Sequence, residues 1–261
     1  MSPSRIVFAV SVGFGFAFLI LPLAIVLPLA FNDSTFLNYP MSGVSLRWFD
    51  VVLNQPPWLF AMANSFKVAV GAMALSVVTG GLAAMGVMAS GRVAALVLSA
   101  LFVSPLVVPS VVLGVAMFFI FARFGLSGGH LSLILAHSVL GAPLVFLSAM
   151  TSLKGLNPEL DRAGASMGAS RLFRFRTIIL PLTAPGFLIG AMFAFITSFD
   201  EVVVALFLSS PQSLTLPIAL FSGLRDQLEP TLVVVALMLS MISALFLLVV
   251  ARLQKATEQK A

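Results

Sequence analysis

The chain has 261 residues, 60% of them hydrophobic and only 9% charged, and its mean hydropathy is +1.14. That composition excludes a soluble domain and marks a polytopic membrane protein. The net charge of +5 implies no nucleic-acid partner, because a basic excess in such a protein marks the cytoplasmic side, and the lack of cysteine removes disulfides and thiolate metal sites.

Six spans are predicted, at about 6–31, 59–89, 93–122, 130–150, 177–208 and 230–251. The first, Ile6 to Phe31, is too long for a signal h-region of ~7–15 residues and is read as a retained anchor. Each segment can cross ~30 Å of hydrocarbon as a helix, and none shows the two-residue alternation of a barrel strand. The expected fold class is all-α integral membrane with six transmembrane helices, a single domain over 1–261. Placing Arg5 inside puts ten of the Lys and Arg residues inside, among them Arg92, Lys154, Arg162, Arg171, Arg174, Arg176, Arg252, Lys255 and Lys260. Four remain outside, namely Arg47, Lys67, Arg123 and Arg225, so both termini are expected in the cytoplasm.

In chain order, the outer connection 32–58 follows the first span, and Trp48 and Trp58 are expected at headgroup level. In the second span Gly71, Gly80, Gly81 and Gly86 are expected to allow close helix contact, and Lys67 to snorkel. Lining the path instead, Lys67 would oppose a cationic solute. Pro105 and Pro109 in the third span and Pro143 in the fourth either kink helices around a cavity or mark irregular packing. His137 in the fourth is read as a hydrogen-bonded packing residue rather than a ligand contact.

The inner connection, 151–176, leads into DRAGASMGASRLFRFRTIILPL, residues 161–182, a charged stretch between two apolar spans. Asn157 suits the cap of a short helix, Pro158 its first position, and Glu159 and Asp161 its positive end. Gly168 is placed to stop that helix in the left-handed region, and Ser170 to cap a second helix running through Phe173 and Phe175 into the fifth span. Pro181 and Pro185 loosen the start of that span. Ala163, Gly164, Ala165, Gly168 and Ala169 expose little side chain and would let the first helix nest in a groove on another protein.

Shape alone also fits an ordinary positive-inside loop, but the spacing adds to it. Gly168, nine residues, Ile178, one residue, then Leu180 and Pro181 resembles the "EAA" loop of ABC-importer permeases. The positions of the motif's Glu-Ala-Ala fall on Arg162, Ala163 and Gly164. Asp161, one place earlier, is the candidate substitute for the missing glutamate; alternatively the ATPase carries an acidic residue facing Arg162. Further stretches are similar to polyamine-type (spermidine/putrescine) permeases: LAFNDSTF, GVSLRWFDVVL, ANSFKVAV, SPLVVPSVVLGVAM, LAHSVLGAPLVF and SFDEVVVALFLSSP.

The resemblance implies a type I ABC importer permease fold in a bacterial cytoplasmic (inner) membrane. It also implies two ATPase subunits, a second and different permease subunit and an extracytoplasmic solute-binding protein. Residues Asp161, Arg162, Ala163, Gly164, Gly168, Ile178, Leu180 and Pro181 would form the ATPase-coupling loop, and ATP and Mg would be bound by the partner. This chain has no G-x-x-x-x-G-K-[ST] stretch, no catalytic constellation and no cofactor of its own. The implied solute is a polyamine or another small amino compound; related permeases handle opines, aminophosphonates and anionic solutes.

Asp200 and Glu201 are the only acidic residues well inside a predicted span, which makes them candidate pathway residues for a cation. The alternative is structural, as a helix cap or as partners of Lys67 or Arg225. A secondary transporter would be expected to show internal repeats and more buried charge, neither of which occurs here. A channel has no need of the patterned inner loop, and a membrane enzyme needs clustered catalytic groups that His130 and His137 cannot supply.

Overall fold

The computed structural model describes residues 3–226 and 228–258; Lys260, counted above among the inner cations, lies outside them. The described residues form helices α1 (Pro3–Val26), α2 (Arg47–Asn54), α3 (Pro56–Ala89), α4 (Arg92–Val103), α5 (Ser110–Arg123) and α6 (His130–Lys154). They continue with α7 (Pro158–Ser166), α8 (Arg171–Arg174), α9 (Leu180–Phe199), α10 (Val203–Leu208), α11 (Leu216–Asp226) and α12 (Pro230–Glu258). By contact the chain divides into two compact units, 1–59 with 219–241, and 60–218 with 242–261.

In the first unit the outer connection is organised by one buried amide. Asn32 Oδ1 accepts from the Ser34 and Ser42 backbone N–H groups, and its Nδ2 donates to Phe36 O, Asn38 O and Asn38 Oδ1. Trp48 is largely buried within the protein. It is 7% exposed, and its indole N–H donates to Asn32 O at 2.8 Å. A buried indole needs such a partner, and the Asn32 turn supplies it. Trp58 is half-buried at the start of α3.

In the second unit the register of small residues fixes helix directions. An added Cβ at Gly71 would strike Ile134, and at Gly80 the Ala142 carbonyl and Val145, so α3 and α6 run parallel. Gly141 meets Ala194, Gly190 meets Val145 and Gly186 meets Ser152, so α6 and α9 run antiparallel. Phe195 stacks on Phe246 with centroids 4.4 Å apart, and Met192 shares a core with Val250, which sets α12 antiparallel to α9. The chain ends near 90, 155 and 252 therefore lie at one end of this unit, together with Arg92, Lys154 and Arg252. Gly81 makes the expected close contact, with Phe187, but a Cβ on Gly86 would meet nothing; that glycine lines a cavity.

Two predicted spans are revised. The third breaks at Ser104–Pro109, where α4 and α5 are bent by 97°. Two prolines remove donors there, and Ser104 Oγ–H donates back to Leu101 O at 2.7 Å. The parallel α3 and α6 require this bent pair to cross once, which makes it the sixth span beside Val10–Phe31, Pro56–Ala89, His130–Lys154, Arg171–Phe199 and Pro230–Lys255. An apolar cavity of about 420 Å³ lies in the bend, between Thr79 and Ala83 of α3, Leu98 and Phe102 of α4, and Ala142 of α6. Pro105 and Pro143 line it, although α6 runs through Pro143 without a break. The fifth span ends at Phe199 rather than 208, with α10 a separate short helix.

The α6–α9 seam gives a direct test. Gly190→Val would push a side chain to within 2.7 Å of the Val145 Cα and should cost about 1–3 kcal/mol. The melting temperature of the solubilised protein should fall by roughly 2–10 °C. Gly86→Val, beside open space, should leave it unchanged.

Candidate functional site

The inner connection folds as its capping residues dictate. Asn157 accepts from the Glu159 N–H at 3.0 Å, Pro158 opens α7, and Ser170 Oγ accepts from the Phe173 N–H at 3.3 Å to start α8. Between them Gly168 has φ +80°, where an L side chain is disfavoured. Ala169 N–H donates to Gly164 O at 3.1 Å and Gly168 N–H to Ala165 O at 3.0 Å. These are the two bonds of a Schellman turn, which satisfies the last carbonyls of α7.

From Ser170 the backbone runs through α8, a π-helical turn at Phe175–Ile179 and α9 as one apolar helix from Arg171 to Phe199. The wider turn precedes Pro181, which lacks an N–H, and buried Thr183 donates its hydroxyl to Ile179 O at 2.7 Å. The loop is thus joined to the fifth span without an intervening flexible segment.

Gly164 is the one buried residue of α7. A Cβ there would lie 3.1 Å from both Arg174 Cδ and Ile178 Cδ1, so a side chain would push α7 off the helix that follows. Ala163, Arg162 and Met167 face outward, Met167 with 85% exposure. Asp161 is turned the other way. Arg174 Nη1 donates to its carboxylate at 2.8 Å and to its backbone carbonyl at 3.0 Å, and the Arg174 side chain is only 15% exposed. Arg162 pairs instead with Glu159, at 2.7 Å, on the exposed face. Sequence reasoning treated Arg174 only as an inner cation; its partner lies 13 residues away and across a turn, beyond any helical spacing rule.

Asp200 and Glu201 stand in the break that follows α9. Glu201 Oε1 accepts from the Val204 N–H at 2.9 Å, so this carboxylate caps α10. Asp200 ends α9 and is exposed, with one long hydrogen bond of 3.4 Å from Ser243 Oγ of α12. Neither is ion-paired with Lys67, Arg225 or any other described residue.

A polar clamp missed from the sequence joins α3 and α6 to the segment after α10. Asn64, fully buried, donates to Gln212 O and Leu214 O, so its Oδ1 must accept from His130 Nε2, at 2.8 Å. The Leu216 N–H donates to Ser65 Oγ at 2.8 Å. His137 is buried against Ser198, Nδ1 to Oγ 2.8 Å, as expected of a packing residue. No group of three or more His, Asp or Glu among the described residues is disposed to hold a metal.

Residues 76–261 match the family model "Binding-protein-dependent transport system inner membrane component". The chain belongs to this family. It is therefore a multi-pass inner-membrane permease of a binding-protein-dependent transporter, a transport subunit and not an enzyme. It is 27% identical over 241 residues to the spermidine/putrescine transport system permease protein PotC of Escherichia coli (strain K12), covering 91% of this chain and 90% of that protein. It is 28% identical over 236 residues to the putrescine transport system permease protein PotI of the same organism, covering 88% and 83%. Its fold superimposes on a bacterial ABC transporter involved in the import of the acidic polysaccharide alginate. The TM-score is 0.73 at 11% identity, over 98% of this chain and 95% of that one.

At Gly168 conformation and not space is limiting, since nothing lies within 4 Å of an added Cβ. Gly168→Val should destabilise the turn by about 1–2 kcal/mol and raise the rate of tryptic cleavage in the loop about five- to thirtyfold. Gly168→Asn, which tolerates the left-handed region, should cleave near the wild-type rate.

Proposed function

We propose that this chain forms one half of the translocation path of an importer for polyamines or similar small cationic amino compounds, with its inner elbow docked in a cytoplasmic ATPase. The observation that carries the reading is the elbow itself: a short, small-residue helix closed by a Schellman turn and continuous with the fifth span. Two ATPase subunits supply the energy and bind ATP and Mg. A second, different permease subunit completes the path, and an extracytoplasmic binding protein delivers the solute. Both termini lie in the cytoplasm, a placement supported by the gathering of Arg92, Lys154 and Arg252 at the elbow's end of the second unit.

ATP can drive the cycle only by binding one state better than another. Closure of the ATPase dimer pulls the two permeases' elbows together; the Arg171–Phe199 helix then swings and opens the cavity outward. Asp200, exposed at its far end and held only by one long hydrogen bond, is the carboxylate that attracts a cation, while Glu201 is engaged as a cap. The relatives' solutes support the cationic assignment.

Asp200→Asn should lower uptake of putrescine or spermidine about tenfold, most strongly at low salt, while binding-protein-stimulated ATP hydrolysis persists. Glu201→Gln should have a smaller and salt-insensitive effect. Unchanged uptake in the Asp200 variant, measured with radiolabelled solute in proteoliposomes, would remove Asp200 from the path.

A further inference from the structure

We propose that Asp161 and Arg174 form an internal clasp that makes α7 and the fifth-span helix a single lever. This inference rests on the docking reading above and deepens it. The chain between α7 and α8 is a four-residue turn, Met167 to Ser170, pivoting on a glycine at φ +80°. A push on α7 reaches the Arg171–Phe199 helix only if that turn cannot pivot.

Two contacts prevent it. The first is the seat at Gly164, where the α7 backbone rests on the Arg174 and Ile178 side chains. The seat resists approach of the two helices, but a purely repulsive contact cannot resist their separation. The second contact does. The Arg174 guanidinium holds both the Asp161 carboxylate at 2.8 Å and the Asp161 carbonyl at 3.0 Å, so it grips side chain and backbone of the same residue. A planar guanidinium sets direction as well as distance, which an ammonium on a flexible stem does not. With 15% of its side chain exposed, Arg174 is partly shielded from the salt that weakens surface pairs. By contrast the Arg162–Glu159 pair, 73% and 67% exposed, lies on one helix and ties nothing across the turn.

Asp161 and Arg174 are thus positioning residues: they act by keeping α7 at a fixed angle to the fifth span and touch no solute or nucleotide. The acidic residue that stands beside the motif's glutamate position serves the joint's interior. Polar contact with the partner is left to Glu159 and Arg162.

The chain has no cysteine, so thiols introduced into it are the only ones in this subunit. Asp161→Asn and Arg174→Gln are reconstituted with the full transporter, and solute uptake per ATP hydrolysed is measured. Each should lower that ratio about tenfold, and the double variant should be no worse than either single one, because the two act as a unit. In Asp161→Cys with Arg174→Cys, a short bifunctional thiol reagent should restore at least half the wild-type ratio. A mere charge contact with the ATPase would not be restored this way. Single-variant ratios within twofold of wild type, or a bridged variant that stays uncoupled, would overturn the clasp. Should the single variants fail to assemble, the bridged variant decides by the same criterion. Wild-type α7 failing to touch the ATPase would sink the docking reading; normal docking with intact coupling in the variants would sink only the clasp.

Discussion

Hydrocarbon offers no partner to a peptide group, so a chain crossing it must satisfy its backbone from within. Several departures from α-helix among the described residues meet that constraint with side-chain bonds. At the third-span break Ser104 bonds back to Leu101 O; above the π-helical turn Thr183 takes the Ile179 carbonyl; after α9 Glu201 caps α10. The inner elbow uses the same means, with Asn157 and Ser170 as caps and the Schellman bonds at Gly168. Polar bonding therefore gathers where one helix gives way to the next and in a few contacts between helices, such as His137 with Ser198 and Asn64 with His130.

The joints divide the work. Between α6 and α9, glycines at 141, 186 and 190 bring backbones and small side chains into direct contact. Such a seam is held by close packing and by few polar bonds, since water drives no apolar contact within lipid. The inner elbow is attached to one end of this pair, and Asp200 stands at the other, where α9 ends. The helix 171–199 is continuous between the two. The Asn64–His130 clamp, by contrast, ties the segment after α10 to α3 and α6 through several hydrogen bonds.

Much of this was legible in the sequence because it depends on local rules. Hydropathy located the spans, and Asn157, Pro158, Gly168 and Ser170 each occupy the cap or turn position their chemistry predicts. What was not legible depends on partners distant in sequence. Two prolines signal a bend in the third span but not one of 97°, which needs α6 and its cavity to hold it. Apolar residues continue past Phe199, so hydropathy ran the fifth span on to 208 although α10 is a separate helix. The partner of the Trp48 N–H, Asn32 O, lies sixteen positions back and follows from no local rule. Asp161 and Arg174 read as a helix-dipole acid and a cytoplasmic base, and only folding shows that they face each other. Gly86 fits a small-residue pattern but borders open space.

The central claim, that this elbow is gripped by a nucleotide-hydrolysing neighbour, is tested most directly by a photo-crosslinking amino acid at Met167, which is 85% exposed at the turn. In the assembled transporter, irradiation should join this chain to the ATPase, with a yield that changes between nucleotide-free and ATP-bound states. A chain that gives no adduct with the ATPase in any nucleotide state would contradict the account.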